Sequence, residues 1–195
     1  MSWIKKPTWR LGVVYLLLAV LILLARKPTP LSLVAGLVPI VIGEALRIWA
    51  CGHLVKNKRL TTTGPYAYVK NPLYVGTILI CSGFCLLARR WEMLILVAIG
   101  FFAYYIPRKK KIEGDRLRKI YGEAYDRYDK AVPDLVPRLT PYRSGDKTRF
   151  DLGLVFDNSE HGTAISIPIG LVLIFLSIWM QEHGLITLPW ITPGS

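Results

Sequence analysis

Cysteine and histidine are both scarce, with three of each in 195 residues. Cys51, Cys81 and Cys85 all fall inside apolar segments, and none has the further Cys or His ligands nearby that a metal site needs. We therefore assign no metal and no disulfide. His53, His161 and His183 are scattered, without a Ser, Cys or Asp placed to complete a triad, so hydrolytic catalysis is unsupported. The chain also lacks a Gly-x-Gly-x-x-Gly after a strand pattern and a Gly-Lys-Ser/Thr loop, which excludes the soluble nucleotide-binding architectures. Acidic side chains are few, 13 against 25 Lys and Arg, for a formal net charge of +12. No nucleic-acid fold signature accompanies that charge, and the basic residues sit beside apolar blocks, where anionic lipid headgroups explain them better.

Apolar sequence is abundant: 52% of the residues are hydrophobic and the mean hydropathy is +0.37. These residues are gathered into blocks at 11–25, 31–55, 71–88, 93–107 and 162–180. About 20 mostly apolar residues cross ~30 Å of hydrocarbon. The second, third and fifth blocks reach that length; the first and fourth need Trp9, Trp91, Tyr104 and Tyr105 as interfacial extensions. The expected fold class is an all-α integral membrane protein with about five transmembrane helices, forming one domain over 1–195. A cleaved signal is disfavoured for the first block, because Arg26-Lys27-Pro28-Thr29-Pro30 stands where small residues would be needed. The same short segment, and Arg89-Arg90, read as tight hairpins. The bias of Lys and Arg puts the N-terminus and the loop between the second and third blocks on the cytoplasmic side.

Beyond Pro107 the character changes. Glu113, Leu117, Ile120, Ala124 and Tyr128 recur at three- and four-residue steps, which predicts one cytoplasmic amphipathic helix ended by Pro133 and Pro137. Glu113 lies on its apolar stripe and so points toward the bundle, with a pair to Lys109 as the alternative. Glu44 and Arg47, three residues apart within the second block, are expected to pair with each other.

Two ordered motifs stand out. The first runs through Lys58-Arg59-Leu60, Gly64-Pro65-Tyr66 and Lys70-Asn71-Pro72-Leu73-Tyr74-x-Gly76. The second is Glu113 followed by Tyr121-Gly122-Glu123-x-Tyr125-x-x-Tyr128 and Val132-Pro133. Together they resemble the isoprenylcysteine carboxyl methyltransferase family and the related phospholipid methyltransferases, over about 46–139. The resemblance implies S-adenosylmethionine as cofactor. It implies that Lys58, Arg59, Leu60 and Thr61 line the cofactor, with Tyr66 packed on it. Asn71, Pro72, Leu73 and Tyr74 would form its main wall, Glu113 would hold a polar group of it, and Lys109 would lie toward the substrate. The implied acceptor is a lipophilic or lipid-modified molecule at the cytoplasmic face; no catalytic base is named. The family often has Arg-His-Pro where Lys70-Asn71-Pro72 stands, and paired acids where Glu113-Gly114 stands. The block at 162–180 lies beyond the resemblance. Two other readings stay open: a sterol-reductase-like enzyme using NADPH, whose acidic residue after the motif glycine is Thr77 here, and a non-catalytic membrane protein of the same fold.

The pattern of residue types fits the cofactor independently. A sulfonium, an amino acid head and an adenosine call for aromatic faces, a carboxylate and cationic donors, which Tyr66, Tyr74, Glu113 and Arg59 or Lys58 supply.

Overall fold

The computed structural model describes residues 18–55, 59–99, 106–143, 148–158 and 160–186, with the backbone alone described at 106–110 and 161. Every regular element among them is helical. After a helical stretch at 18–23 come α1 (Pro30–Cys51), a 3₁₀ turn (Gly64–Ala67), α2 (Pro72–Leu87) and α3 (Trp91–Ile99). They are followed by α4 (Ile106–Tyr121), α5 (Glu123–Ala131), α6 (Leu152–Asp157) and α7 (Glu160–Glu182).

Among the described residues two helices are long and apolar enough to cross a membrane: α1, at 22 residues, and the 21-residue stretch Gly162–Glu182 of α7. Only 17% and 22% of their apolar windows are buried, so neither is the enclosed core of a soluble domain. Leu31, Val34 and Val41 on α1 and Ile165, Val172 and Trp179 on α7 stand exposed, surfaces that hydrocarbon would cover. Five spans are not confirmed among the described residues. The third block forms the 16-residue α2, about 24 Å long at 1.5 Å per residue and short of the hydrocarbon thickness. The fourth is described as helix only over the nine residues of α3, and most of the first lies outside the described residues.

Local sequence sets the helix starts. Thr29 and Ser32 form a reciprocal capping box, with Ser32 N donating to Thr29 Oγ1 at 3.2 Å and Thr29 N to Ser32 Oγ at 2.9 Å, and Pro30 opens the first turn. Pro72 opens α2 in the same way.

The centre of the fold is the antiparallel seam of α1 against α2. Gly36 faces Gly83, and Gly43 faces Gly76. A Cβ added at Gly36 would lie 2.6 Å from Leu87 Cβ, and one at Gly43 would lie 2.6 Å from the Gly76 carbonyl oxygen. Both glycine pairs are seven residues apart, the spacing that keeps one seam facing its partner, and small residues there let the backbones touch. Leu21, Ile40, Ile80, Phe84, Leu87 and Ile174 fill the core around this seam. At the end away from the motif loop the two hairpin turns meet: Arg26 N donates to the Ala88 carbonyl at 3.0 Å, and the Arg90 guanidinium donates to the Leu24 carbonyl.

The single amphipathic helix expected after Pro107 is two helices. Gly122, at φ 53°, breaks it between α4 and α5, a left-handed conformation that glycine takes without Cβ strain. The break rephases the stripe. Ile120 and Ala124 are exposed, whereas Tyr125 and Tyr128 are buried against Leu60, Leu117, Tyr121 and Tyr142.

A candidate site where the motif loop meets helix α4

The loop from Gly64 to Asn71 is held from beneath by the chain that follows α5. Lys70 N donates to the Pro133 carbonyl at 2.9 Å and Asn71 N to the Asp134 carbonyl at 3.2 Å. Arg138 N reaches the Tyr68 carbonyl at 3.0 Å and Tyr142 N the Ala67 carbonyl at 2.8 Å. Side chains reinforce this backbone lacing. The Tyr128 hydroxyl donates to the Tyr66 carbonyl at 2.7 Å, and Tyr128 stacks edge-on against Tyr142 with ring centres 5.5 Å apart. The Lys70 ammonium bridges Asp129 at 2.5 Å and Asp134 at 2.8 Å. Burial works against the Lys70 charge, but the bonds to Asp129 and Asp134 outweigh it and hold its pKa above the ordinary lysine value. Burial likewise lifts the Tyr66 phenol well above its usual range and pushes Tyr125 up to about 12, so both stay neutral donors at physiological pH.

On the other side of this braced loop, the Tyr74 hydroxyl donates to Glu113 Oε2 at 3.1 Å, joining the first turn of α2 to α4 across 39 residues of sequence. Both side chains are half-buried. The acid on the apolar stripe therefore meets the motif tyrosine; its pairing with Lys109 lies outside the described side chains.

The other singled-out residues divide by environment. Pro72 is buried under the first turn of α2, and Leu73 beside it is half-buried. Asn71 donates its Nδ2 to the Asp134 carbonyl at 3.2 Å, which commits its amide to the loop brace. Tyr66 and Thr61 are buried, the latter accepting from Val55 N at 3.2 Å. Leu60 packs on the Tyr125 cluster, and Arg59 is exposed. Lys58 lies outside the described residues. The structure thus brings Tyr74 and Glu113 into contact, with Asn71, Pro72 and Leu73 directly preceding Tyr74 in the chain, and puts Tyr66 into the underlying layer.

Arg47 departs from expectation. It pairs with Glu160 of α7 instead of Glu44, through Nε to Oε1 at 2.7 Å and Nη2 to Oε2 at 2.9 Å. Both Glu44 oxygens are buried without a hydrogen-bond partner among the described residues. A guanidinium forks most strongly onto a carboxylate that approaches it in plane, and Glu160 does so from another helix, which a neighbour three residues back on the same helix does not. Sequence reasoning missed Glu160. The available signal was an acid immediately ahead of an apolar block, opposite a membrane-depth arginine in need of a partner.

Comparison with known proteins finds matches over part of the chain. The family model for phospholipid methyltransferase matches residues 45–124, from Arg47 through Tyr74 to Glu113. Residues 45–124 are thus similar to the phospholipid methyltransferases. The chain is also similar to the protein-S-isoprenylcysteine O-methyltransferases of Schizosaccharomyces pombe, at 31% identity over 92 residues, and Xenopus laevis, at 30% over 124. These matches cover 45% and 53% of this chain, and 39% and 40% of the relatives. The cobalt-zinc-cadmium resistance protein CzcN of Cupriavidus metallidurans is 28% identical over 141 residues, 69% of this chain and 64% of that protein. The matched part of the chain thus spans between two fifths and two thirds of these relatives' lengths. No solved structure matches. The methyltransferase-family segment holds both halves of the Tyr74–Glu113 contact but ends before the brace at Asp129–Tyr142 and before α7.

Proposed function

We propose that this protein transfers a methyl group from S-adenosylmethionine to a lipophilic acceptor at the cytoplasmic face of a membrane. The observation that carries the reading is the hydrogen bond between Tyr74 and Glu113, which joins the two motif halves in one half-buried place. The residues present fit the cofactor by type: a carboxylate for a hydroxyl or ammonium group, aromatic faces for a cation or ring, and backbone carbonyls fixed by the brace beneath. When bound, S-adenosylmethionine supplies an electrophilic methyl on a sulfonium.

The protein's own contribution is alignment. Glu113, held by the Tyr74 hydroxyl, accepts a polar group in a fixed direction, and the stiff Asn71-Pro72 start of α2 keeps that direction constant. A carboxylate acceptor is already ionised near pH 7 and needs no general base, consistent with the absence of a triad in the sequence. Rate then comes from positioning and from excluding water. The lipophilic character of the acceptor draws support from two lipid-facing helices and from an apolar cavity of about 250 Å³ between Leu46 and Trp49 of α1 and Pro65, Tyr68, Val69 and Pro137. An apolar molecule would enter from the bilayer while the soluble cofactor comes from the cytoplasm.

The test is transfer of a labelled methyl group from S-adenosylmethionine into a total lipid and protein extract by the detergent-purified chain. Label should appear in a lipophilic product. Reduction of a lipid double bond with NADPH in a parallel reaction, without methyl transfer, would instead establish the reductase reading, and donor binding without any transfer would establish a non-catalytic one.

A further inference from the structure

The C-terminal helix α7 lies outside the family-matched segment, yet it is wired into the wall that carries Tyr74. Glu160, its first residue, is 3% exposed and takes both Nε and Nη2 of Arg47. Two further groups complete that junction: Nη2 also donates to Thr163 Oγ1 at 3.0 Å, and the Cys51 thiol donates to Glu160 Oε2 at 3.2 Å. The opposite edge of the same guanidinium faces α2. Nη1 donates to Thr77 Oγ1 at 2.7 Å and to the Leu73 carbonyl at 3.3 Å, while Thr77 Oγ1 itself bonds that carbonyl at 2.9 Å. The stem of Arg47 lies over Gly76, whose added Cβ would fall 2.4 Å from Arg47 Cγ.

A guanidinium is planar, with its donors in a fixed fork. Holding two of its nitrogens on a buried carboxylate therefore fixes where the third points. That third nitrogen grips the turn Leu73–Thr77, and the residue between Leu73 and the arginine-covered Gly76 that reaches Glu113 is Tyr74. We propose that Glu160 is a positioning residue for the Tyr74–Glu113 site: α7 fixes Arg47 by a two-pronged ion pair, and Arg47 fixes the first turn of α2. At its other end α7 is tied by Gln181, whose Nε2 donates to the Leu23 carbonyl at 3.1 Å, far from the site. Only the Glu160 end transmits to Tyr74.

The link to methyl transfer rests on the function proposed above, so the experiment carries one readout that does not. Hydrogen–deuterium exchange of the purified full chain in detergent follows the amides of residues 73–78. Glu160→Gln, which keeps the shape but removes the charge, should speed exchange there by about fivefold or more. Thr77→Val, which removes the shorter of the guanidinium's two bonds to α2 and leaves the one to the Leu73 carbonyl, should speed it by a smaller factor, and Gln181→Ala should leave these amides as in the unaltered chain. In the second readout, Glu160→Gln weakens S-adenosylmethionine binding by about tenfold and leaves the acceptor KM unchanged. Unchanged exchange in Glu160→Gln, or an equal rise in Gln181→Ala, overturns the proposal. Should Glu160→Gln not accumulate, Arg47→Lys, which keeps the charge but loses the fork onto Glu160, decides in its place: faster exchange at 73–78 supports the proposal and unchanged exchange overturns it. If the unaltered chain binds no donor, the methyl-transfer reading falls while exchange still decides the role of Glu160.

Discussion

The two ends of the α1–α2 pair are joined in different ways. Along the seam the helices meet backbone to backbone at Gly36–Gly83 and Gly43–Gly76, and the apolar stem of Arg47 covers the last of these glycines. At the motif end hydrogen bonds and ion pairs take over: Arg47 to Thr77 and Glu160, Lys70 to Asp129 and Asp134, Tyr128 to the Tyr66 carbonyl. The seam is non-directional and tolerates no added volume. The motif end is directional and tolerates no lost partner. A site that must hold one geometry belongs at the second kind of junction, supported by the first.

This contrast can be broken from either side. The largest effect is expected in the seam. Gly76→Leu has no room, since even a Cβ would lie 2.4 Å from Arg47 Cγ and 2.7 Å from the Gly43 carbonyl oxygen. Overpacking against backbone costs about 3 kcal/mol or more, so the variant should lose its cooperative melt in detergent. A melting curve like that of the unaltered chain would mean the helices do not touch as described.

At the motif end the penalties are smaller and local. Lys70→Met removes the ammonium that Asp129 and Asp134 share and should cost about 2 kcal/mol, the scale of a hydrogen bond to a charged group. Denaturant melts of the detergent-solubilised protein measure it, and a cost below a few tenths would remove Lys70 from the brace. Tyr128→Phe leaves the buried Tyr66 carbonyl unsatisfied for about 1 kcal/mol. Because that change is one hydroxyl, the structural loosening should stay local and appear as faster amide exchange at 64–71.

The same junction predicts an alkaline limit. Lys70 and the phenols of Tyr66 and Tyr128 all have folded pKa values raised above their ordinary ones, Lys70 through its carboxylate partners against the pull of burial and the tyrosines through burial first. A raised folded pKa contributes stability that is complete below the unfolded value, here 10.5 for lysine and 10.0 for tyrosine, and that is lost as pH rises through the folded value. Stability should therefore be level from pH 7 to about 10 with respect to these groups and fall above it, with Lys70→Met falling less steeply. A loss between pH 7 and 9 in the unaltered chain that Lys70→Met removes would contradict the assignment.

Sequence made the two halves of the site legible because each rests on side-chain chemistry at fixed spacing. Glu113 was marked by an acid on an apolar stripe, and Tyr74 by a proline-opened turn at a helix start. The brace was hidden because most of it is backbone: the bonds of Lys70 N, Asn71 N, Arg138 N and Tyr142 N leave no trace in residue type. The break at Gly122 was misread as a continuous helix because one glycine within a periodic stripe is compatible with either state until the packing of Tyr125 chooses. Arg47 was matched to Glu44 because proximity in sequence stood in for proximity in space. The third block looked long enough to span because residues 71–88 count 18, but the helix occupies 16 of them.

The central claim is that the motif tyrosine and the inward acid of α4 form one methyl-donor site. Calorimetric titration of the detergent-purified full chain with S-adenosylmethionine tests it most directly, with Tyr74→Phe and Glu113→Gln run beside it. The account predicts binding by the unaltered chain and affinity about tenfold or more weaker in each variant, with melting temperatures within a few degrees of the parent. Binding that is equally tight in all three proteins, or absent from the unaltered chain, would contradict it.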